Sequence, residues 1–148
     1  MAIRPNYPVA RVMSWPVAAI DHEATLAEAA EALAADVVGA LVVLRQGRLA
    51  GMLSERDLVV HVGAGVDLTH LLVGEVMAVD LVTVTPDTTV LEAAREMVAA
   101  DVRHLPVLTE DRVAGVVSVR DVLAVLIDPL GSAEVAAPSG GRVVVRAT

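Results

Sequence analysis

The chain has no cysteine, no phenylalanine and no lysine, and only one tyrosine (Tyr7) and one tryptophan (Trp15) in 148 residues. Each absence excludes something. Without cysteine there is no disulfide, no thiol nucleophile and no cysteine-type zinc site. Without aromatic interleaving, nucleic-acid bases have nothing to stack on. The net charge is −8 and all eleven basic residues are arginine, a balance poorly matched to a phosphate backbone. A nucleic-acid-binding role is therefore disfavoured, and the acidity serves solubility. Apolar runs are short and broken by charge, so no transmembrane helix is expected. The N-terminal MAIRPNYPVARVM lacks the continuous apolar stretch of a secretory signal. Together with the missing cysteines, this predicts a cytoplasmic protein.

What is present is apolar bulk. Hydrophobic residues make up 55% of the chain, enough for a core, which must be built of Val, Leu, Ala and Met. The length suits one compact domain or two small fused repeats. The sequence favours the second. Val12 to Asp57 lies without a gap on Val76 to Asp121, an offset of 64. The shared positions include Met13/Met77, Thr25/Thr89, Glu28/Glu92, Leu41/Leu105, Gly51/Gly115, Ser54/Ser118 and Arg56-Asp57/Arg120-Asp121. A long period in a short chain means two copies of one supersecondary unit. Two such halves are expected to bury their apolar faces together, leaving a cleft as a natural ligand site.

Each copy shows the same order of elements. A short apolar stretch opens it, Val17–Ile20 or Leu81–Val84. Thr25-Leu-Ala-Glu28 and Thr89-Val-Leu-Glu92 have the form of capping boxes, and helical spacing of Leu26, Ala29, Ala30, Leu33 and of Val90, Ala93, Ala94, Met97 follows. A β-hairpin comes next: Ala40–Leu44 and Leu49–Leu53 around Gln46-Gly47, or His104–Leu108 and Val113–Val117 around Glu110-Asp111. A second helix closes the unit, with Ser54 or Ser118 placed as N-cap. The expected organisation is an arm over 1–11, repeat 1 over 12–61, a Gly-containing linker over 62–75, repeat 2 over 76–127 and a loose tail over 128–148. Within that tail, Arg142-Val-Val-Val-Arg146 reads as a short strand that needs an edge to dock on.

The sharpest chemical feature is Gly-x-x-Ser-x-Arg-Asp, present as Gly51–Asp57 and Gly115–Asp121. A helix N-terminus offers free amides and partial positive charge to an anion. Ser54 or Ser118 can donate to a phosphate oxygen, and Arg56 or Arg120 can add charge-assisted bonds. Asp57 or Asp121 can accept from ribose hydroxyls. Equally, Ser and Asp can simply cap the helix; both readings stand at this point. His61 and His70 lack a third ligand at metal spacing, so no metal is expected. Glu28 and Glu92 are explained as caps, and Met52 and Met97 as core filler. No nucleophile with a base, no metal cage and no Walker-type loop appears, so no catalysis is expected.

The strand-helix-strand-strand-helix order, the Val-Met pairs, Thr83-Val-Thr-Pro-Asp87, Arg103-His-Leu-Pro-Val107 and the closing Ser-x-Arg-Asp resemble a tandem of CBS domains, the Bateman module. The resemblance spans about residues 9–127. It implies an α/β fold of two β-α-β-β-α repeats packed with pseudo-twofold symmetry. It also implies a regulatory module that binds an adenosine-containing ligand (AMP, ADP, ATP or S-adenosylmethionine) between repeats. Such a module signals through an effector protein or its own homodimer. Carried over by position, Asp57 and Asp121 face the ribose, and Ser54, Arg56, Ser118 and Arg120 face phosphates. Arg103 and His104 add a basic clamp, and the backbone near Ile20-Asp21, Val38, Val84-Thr85 and Val102 holds the adenine edge. The copies differ: Gly39 and Ala40 stand where copy two has Arg103 and His104, and His22 stands for Pro86. With Tyr7 expected outside the core, adenine would be gripped by aliphatic groups. A homodimer is expected through helix residues such as Leu33, Leu58, Met97 and Leu123. The rival reading is an interaction scaffold with degenerate ligand sites; a nucleotide hydrolase is disfavoured because Asp57 and Asp121 are single carboxylates.

Overall fold

A computed structural model describes residues 7–127 and, in the tail, Val145 and Arg146. The remaining arm and tail expectations, on residues 1–6, 128–144 and 147–148, lie outside the described residues. The chain forms two compact units. One contains residues 17–81 with the strand at 145–146; the other contains residues 7–16 with 82–127.

In the first unit, β1 (Ala19–Asp21) leads to α1 (Leu26–Asp36), the hairpin β2 (Ala40–Arg45) and β3 (Arg48–Ser54), then α2 (Glu55–Gly63) and the short α3 (Val73–Val76). β1 runs parallel to β2, and β2 antiparallel to β3. Gln46 and Gly47, at φ 52° and 77°, supply the positive dihedrals that a tight hairpin turn needs. The core collects Ile20, Leu26, Ala29, Leu33, Leu41, Val43, Leu53 and Leu58. Leu41, Val43 and Leu53 point to one face of the hairpin, as the period-two alternation of strands requires. A last strand, β6 (Val145–Arg146), lies parallel on the free edge of β1, pairing Ala19 with Val145 and Ile20 with Arg146.

The second unit repeats the plan with α4 (Val90–Ala100), the hairpin β4 (His104–Thr109) and β5 (Arg112–Ser118), and α5 (Val119–Ile127). Both hairpins carry a bulge at the same place, after Val43 and after Val107. The opening strand expected over Leu81–Val84 is reduced to a single bridge, Val84 on Val107. It is held by Val84 N–H on the Pro106 carbonyl (3.0 Å) and by Leu108 N–H on the Val84 carbonyl (2.8 Å). Thr85 then turns into a local loop, giving its N–H to Thr88 Oγ1, which ends the strand.

The two stretches before the repeats are built in, and they are built in crosswise. Tyr7 C=O accepts the Val90 N–H at 2.7 Å, as Leu71 C=O accepts the Leu26 N–H at 2.9 Å. Val9 N–H reaches the Thr88 carbonyl, as Val73 N–H reaches that of Ala24. Ser14 bridges Val116, as Ala78 bridges Met52. The 64-residue correspondence thus extends back to Tyr7 and Leu71. Each opening Val-Met packs in the unit whose helices and hairpin come from the other copy. Tyr7 is a correction to the sequence reading: it is buried in the second core beside Val9 and Val12. Its ring carries the Arg11 guanidinium 4.6 Å from its centroid, which gives a lone aromatic both apolar cover and a cation.

Thr89–Glu92 forms the complete capping box, whereas Thr25–Glu28 forms half of it. Thr25 Oγ1 accepts the Glu28 N–H, but the Glu28 carboxylate meets the Thr25 hydroxyl at 3.3 Å instead of the backbone. Leu33, Leu58 and Met97 are buried core residues, and of the four expected interface residues only Leu123 is exposed. Met52 and Met97 are core filler as expected.

α1 ends on Val37 in the left-handed region, φ 52° and ψ 48°, where a β-branched residue is strained. Val37 is 85% exposed, so its side chain returns little packing. Copy two places Asp101 at the same position and dihedrals. Val37→Asn is therefore expected to stabilise by about 1 kcal/mol, raising Tm by about 2–4 °C. A thermal melt that stays level or drops would show that the strain is relieved elsewhere.

Candidate functional site

Both Ser-x-Arg-Asp segments sit where a hairpin strand turns directly into a helix. In copy two, Ser118 ends β5 and pairs with His104 at the start of β4. The carbonyl of Arg103 accepts the N–H of Val119, the first residue of α5, at 2.9 Å. Asp121 Oδ2 accepts from the Ser118 N–H at 2.7 Å and from its hydroxyl at 3.0 Å, while the Asp121 N–H donates back to Ser118 Oγ at 3.2 Å. The local sequence thus gathers Arg103, His104, Ser118, Arg120 and Asp121 at one helix N-terminus.

Copy one has the same frame with fewer functional groups. Ala40 pairs with Ser54, and the Gly39 carbonyl accepts the Glu55 N–H at 3.0 Å. Asp57 Oδ2 accepts from the Ser54 N–H at 2.8 Å and from its hydroxyl at 3.1 Å, with the return bond at 3.4 Å. His61, one turn on, gives its Nδ1–H to the Asp57 carbonyl at 2.7 Å.

The helix-cap reading of Ser and Asp is therefore correct in both copies. It leaves part of each carboxylate unspent: Oδ1 of Asp57 and of Asp121 makes no hydrogen bond among the described residues. The cap also fixes the rotamer, so the second oxygen is preorganised. Partial burial pushes the Asp121 carboxyl above the ordinary carboxylate range, against the Ser118 hydrogen bonds and the Arg120 charge, which pull it down. Arg56, Arg103 and Arg120 are exposed, and no arginine–carboxylate bridge occurs among the described residues.

Two predicted contacts stand differently. Val102 is 38% exposed and follows the left-handed Asp101 directly, so it borders the Arg103 end of the cluster. Thr85 does not join that cluster. The parallel bridge of Val84 to Val107 sets Thr85 toward Leu108, three to four strand residues from His104, or about 10–14 Å. Thr85 instead borders a groove of about 400 Å³ lined by Val82 to Thr85, Thr88, Glu92 and Glu96. Sequence reasoning missed this groove. Its only signal was the clustering of Thr83, Thr85 and Thr88 ahead of Glu92, read as a cap, and Glu96. No group of three His, Cys, Asp or Glu able to hold a metal occurs among the described residues; His70 lies 2.8 Å from Asp67 alone. No helix among the described residues is long and apolar enough to cross a membrane.

These features define a two-repeat α/β module with a carboxylate and a hydroxyl fixed at the head of each closing helix. The chain belongs to the CBS-domain family, whose profile matches residues 9–63 and 73–128. It is 32% identical over 110 residues to the CBS domain-containing protein YhcV of Bacillus subtilis, covering 74% of this chain and 79% of that one. It is 30% identical to Hypoxic response protein 1 of Mycobacterium tuberculosis, covering 75% and 79%. The structure of that protein with two coordinated zinc ions superposes with a TM-score of 0.70, at 29% identity over 78% of this chain and 96% of that one. The CBS pair of protein MJ0100, solved with 5′-methylthioadenosine and S-adenosylmethionine, superposes at 0.78 with 21% identity, covering 84% and 99%. CBS-domain proteins are in general regulatory modules without chemistry of their own.

Proposed function

We propose that this chain is a non-catalytic regulatory module that binds an adenosine-containing ligand of the AMP, ADP or ATP type. The observation that carries the reading is the Asp121 carboxylate, with one oxygen holding the cap and the other presented without a partner among the described residues, beside Ser118, Arg120, Arg103 and His104. A fixed carboxylate suits a pair of vicinal hydroxyls. The helix N-terminus, hydroxyl and arginines suit a phosphate. On this reading Ser54, Arg56 and Asp57 form the weaker counterpart and Val102 contributes main-chain contacts to the base, whereas Thr85, set apart along β4, is not part of it. The MJ0100 pair supports the shared fold; the ligand class rests on the residues of this chain.

Thermal shift with AMP, ADP, ATP, S-adenosylmethionine and NAD tests the reading, because a ligand that binds only the native state raises Tm. One ligand class is expected to stabilise the protein and to be recovered unchanged. No shift from any of them would favour the scaffold reading. That alternative has its own support: both Asp residues are structurally employed, and copy one lacks the basic pair.

Arg103→Ala is expected to weaken binding in step with phosphate number, by about 1.5–3 kcal/mol for ATP, and to leave adenosine unaffected. Calorimetry with the two ligands checks it; equal losses would move Arg103 from phosphate contact to folding. The signal leaves through a homodimer or an effector protein. α5 exposes Leu123, Leu126 and Ile127, and α2 exposes Val59, Val60 and Val62, two apolar helix faces of the kind that mark association surfaces. Sedimentation at micromolar concentration is expected to give a dimer, and Leu123→Asp a monomer; a monomeric parent chain would remove the dimer from this reading.

A further inference from the structure

The two units present equivalent sheet edges that differ in one respect. In the first, the outer edge of β1 is occupied: Val145 and Arg146 pair in parallel with Ala19 and Ile20. In the second, no strand lies on the equivalent edge among the described residues. Val84 spends its N–H and C=O on β4, and neighbouring residues of a parallel strand bond to opposite sides. Thr83, the counterpart of Ala19, therefore faces outward, and its main-chain groups have no partner among the described residues. Alongside runs the groove lined by Val82 to Thr85, Thr88, Glu92 and Glu96.

The groove lining also differs in charge from the equivalent positions of the first unit. Thr88 and Glu96 replace Ala24 and Ala32, whereas Glu92 matches Glu28. Glu92 commits one carboxylate oxygen to the Thr89 N–H at 2.9 Å, and Glu96 is exposed with no ion pair among the described residues. The strand that occupies the equivalent edge, Val145–Arg146, closes the sequence run Arg142-Val-Val-Val-Arg146, branched apolar residues between two arginines.

We propose that the Val82–Thr85 edge is a docking site for an extended segment of a partner protein, one that alternates or runs branched apolar residues between arginines or lysines. The segment adds as a parallel strand, as β6 does on β1. Main-chain bonds to Thr83 supply affinity, and Glu92 and Glu96 select basic flanks. The chain's own strand β6 is not the occupant, because it is already seated on β1. The proposal is independent of the nucleotide reading, since none of Thr83, Glu92 or Glu96 belongs to the Asp121 cluster.

The probe is a labelled peptide, Gly-Arg-Val-Val-Val-Arg-Ala, titrated into the full chain by fluorescence anisotropy without nucleotide. Saturable binding is expected, with amide shift changes in NMR centred on Thr83–Thr85. Thr83→Pro removes the outward N–H at an edge that tolerates proline and is expected to weaken the peptide by about tenfold. Glu96→Arg, on an exposed helix face, is expected to weaken it by about fivefold at low salt and to leave Tm unchanged. Absence of binding at millimolar peptide, shift changes confined to Ala19–Asp21, or affinity indifferent to Glu96→Arg would each overturn the proposal.

Discussion

Gly51→Val is expected to lower stability by about 3 kcal/mol, the largest loss expected from any single substitution outside the apolar cores. A Cβ at this position would stand 2.6 Å from the Ala78 carbonyl oxygen and 2.7 Å from Met77 Sδ. The thioether can swing away. The carbonyl cannot, because it accepts the Met52 N–H at 3.1 Å while the Ala78 N–H donates back to the Met52 carbonyl at 2.9 Å. A side chain at residue 51 therefore pries the 73–78 segment off β3 and breaks main-chain bonds as it does so. Gly115→Val is expected to cost less. There the nearest atom is Met13 Sδ at 2.6 Å, and the backbone oxygen of Ser14 stands back at 2.9 Å. Urea denaturation of both variants measures the two costs. A Gly51→Val midpoint within experimental error of the parent would mean that the opening segments do not clamp the hairpins.

That pair of glycines shows where the sequence was legible and where it was not. The repeat, the hairpins and the closing helices were readable because each follows from local rules: an offset of identical residues, turn chemistry at Gln46-Gly47, and a Ser or Thr before an amphipathic run. The second half-strand at Leu81–Val84 was overread, because branched residues mark extended backbone whether or not a ladder forms; there only Val84 found partners. The crosswise packing of 7–14 and 71–78 was not legible. Nothing local distinguishes a Val-Met that packs on its own hairpin from one that packs on the other copy's. Tyr7 was misplaced for the same reason, since an arm bounded by Pro5 and Pro8 reads as exposed until its long-range partner, Val90, is known. Among the site residues, the motif identified the Ser–Asp pairs and left two roles open. The structure supplied what spacing could not: one carboxylate oxygen caps the helix and the other is left over.

That leftover oxygen leads to the second large effect. Asp121→Asn is expected to weaken AMP by about 10- to 100-fold, an order set by the loss of a charged acceptor for the ribose hydroxyls. Asp57→Asn is expected to cost less, because only copy two carries Arg103 and His104 beside its carboxylate. The amide is chosen because its oxygen can still accept the Ser118 N–H and keep the cap. The second position becomes an NH₂, which donates where the ligand also donates. Fold stability should then move the other way. Burial raises the Asp121 carboxyl above its unfolded value. Between those two values the native state holds a proton that the unfolded chain has lost, so stability falls as pH rises through that window. The asparagine has no proton to lose. Relative to the parent, the variant should gain stability from acid toward neutral pH while its AMP affinity stays low. Calorimetry with AMP on both variants, and urea midpoints across the same pH range, measure the two halves. Equal affinity losses at Asp57 and Asp121 would remove the distinction between the copies. A variant that loses stability progressively toward neutral pH would show that the carboxylate is worth more as a cap than its burial costs.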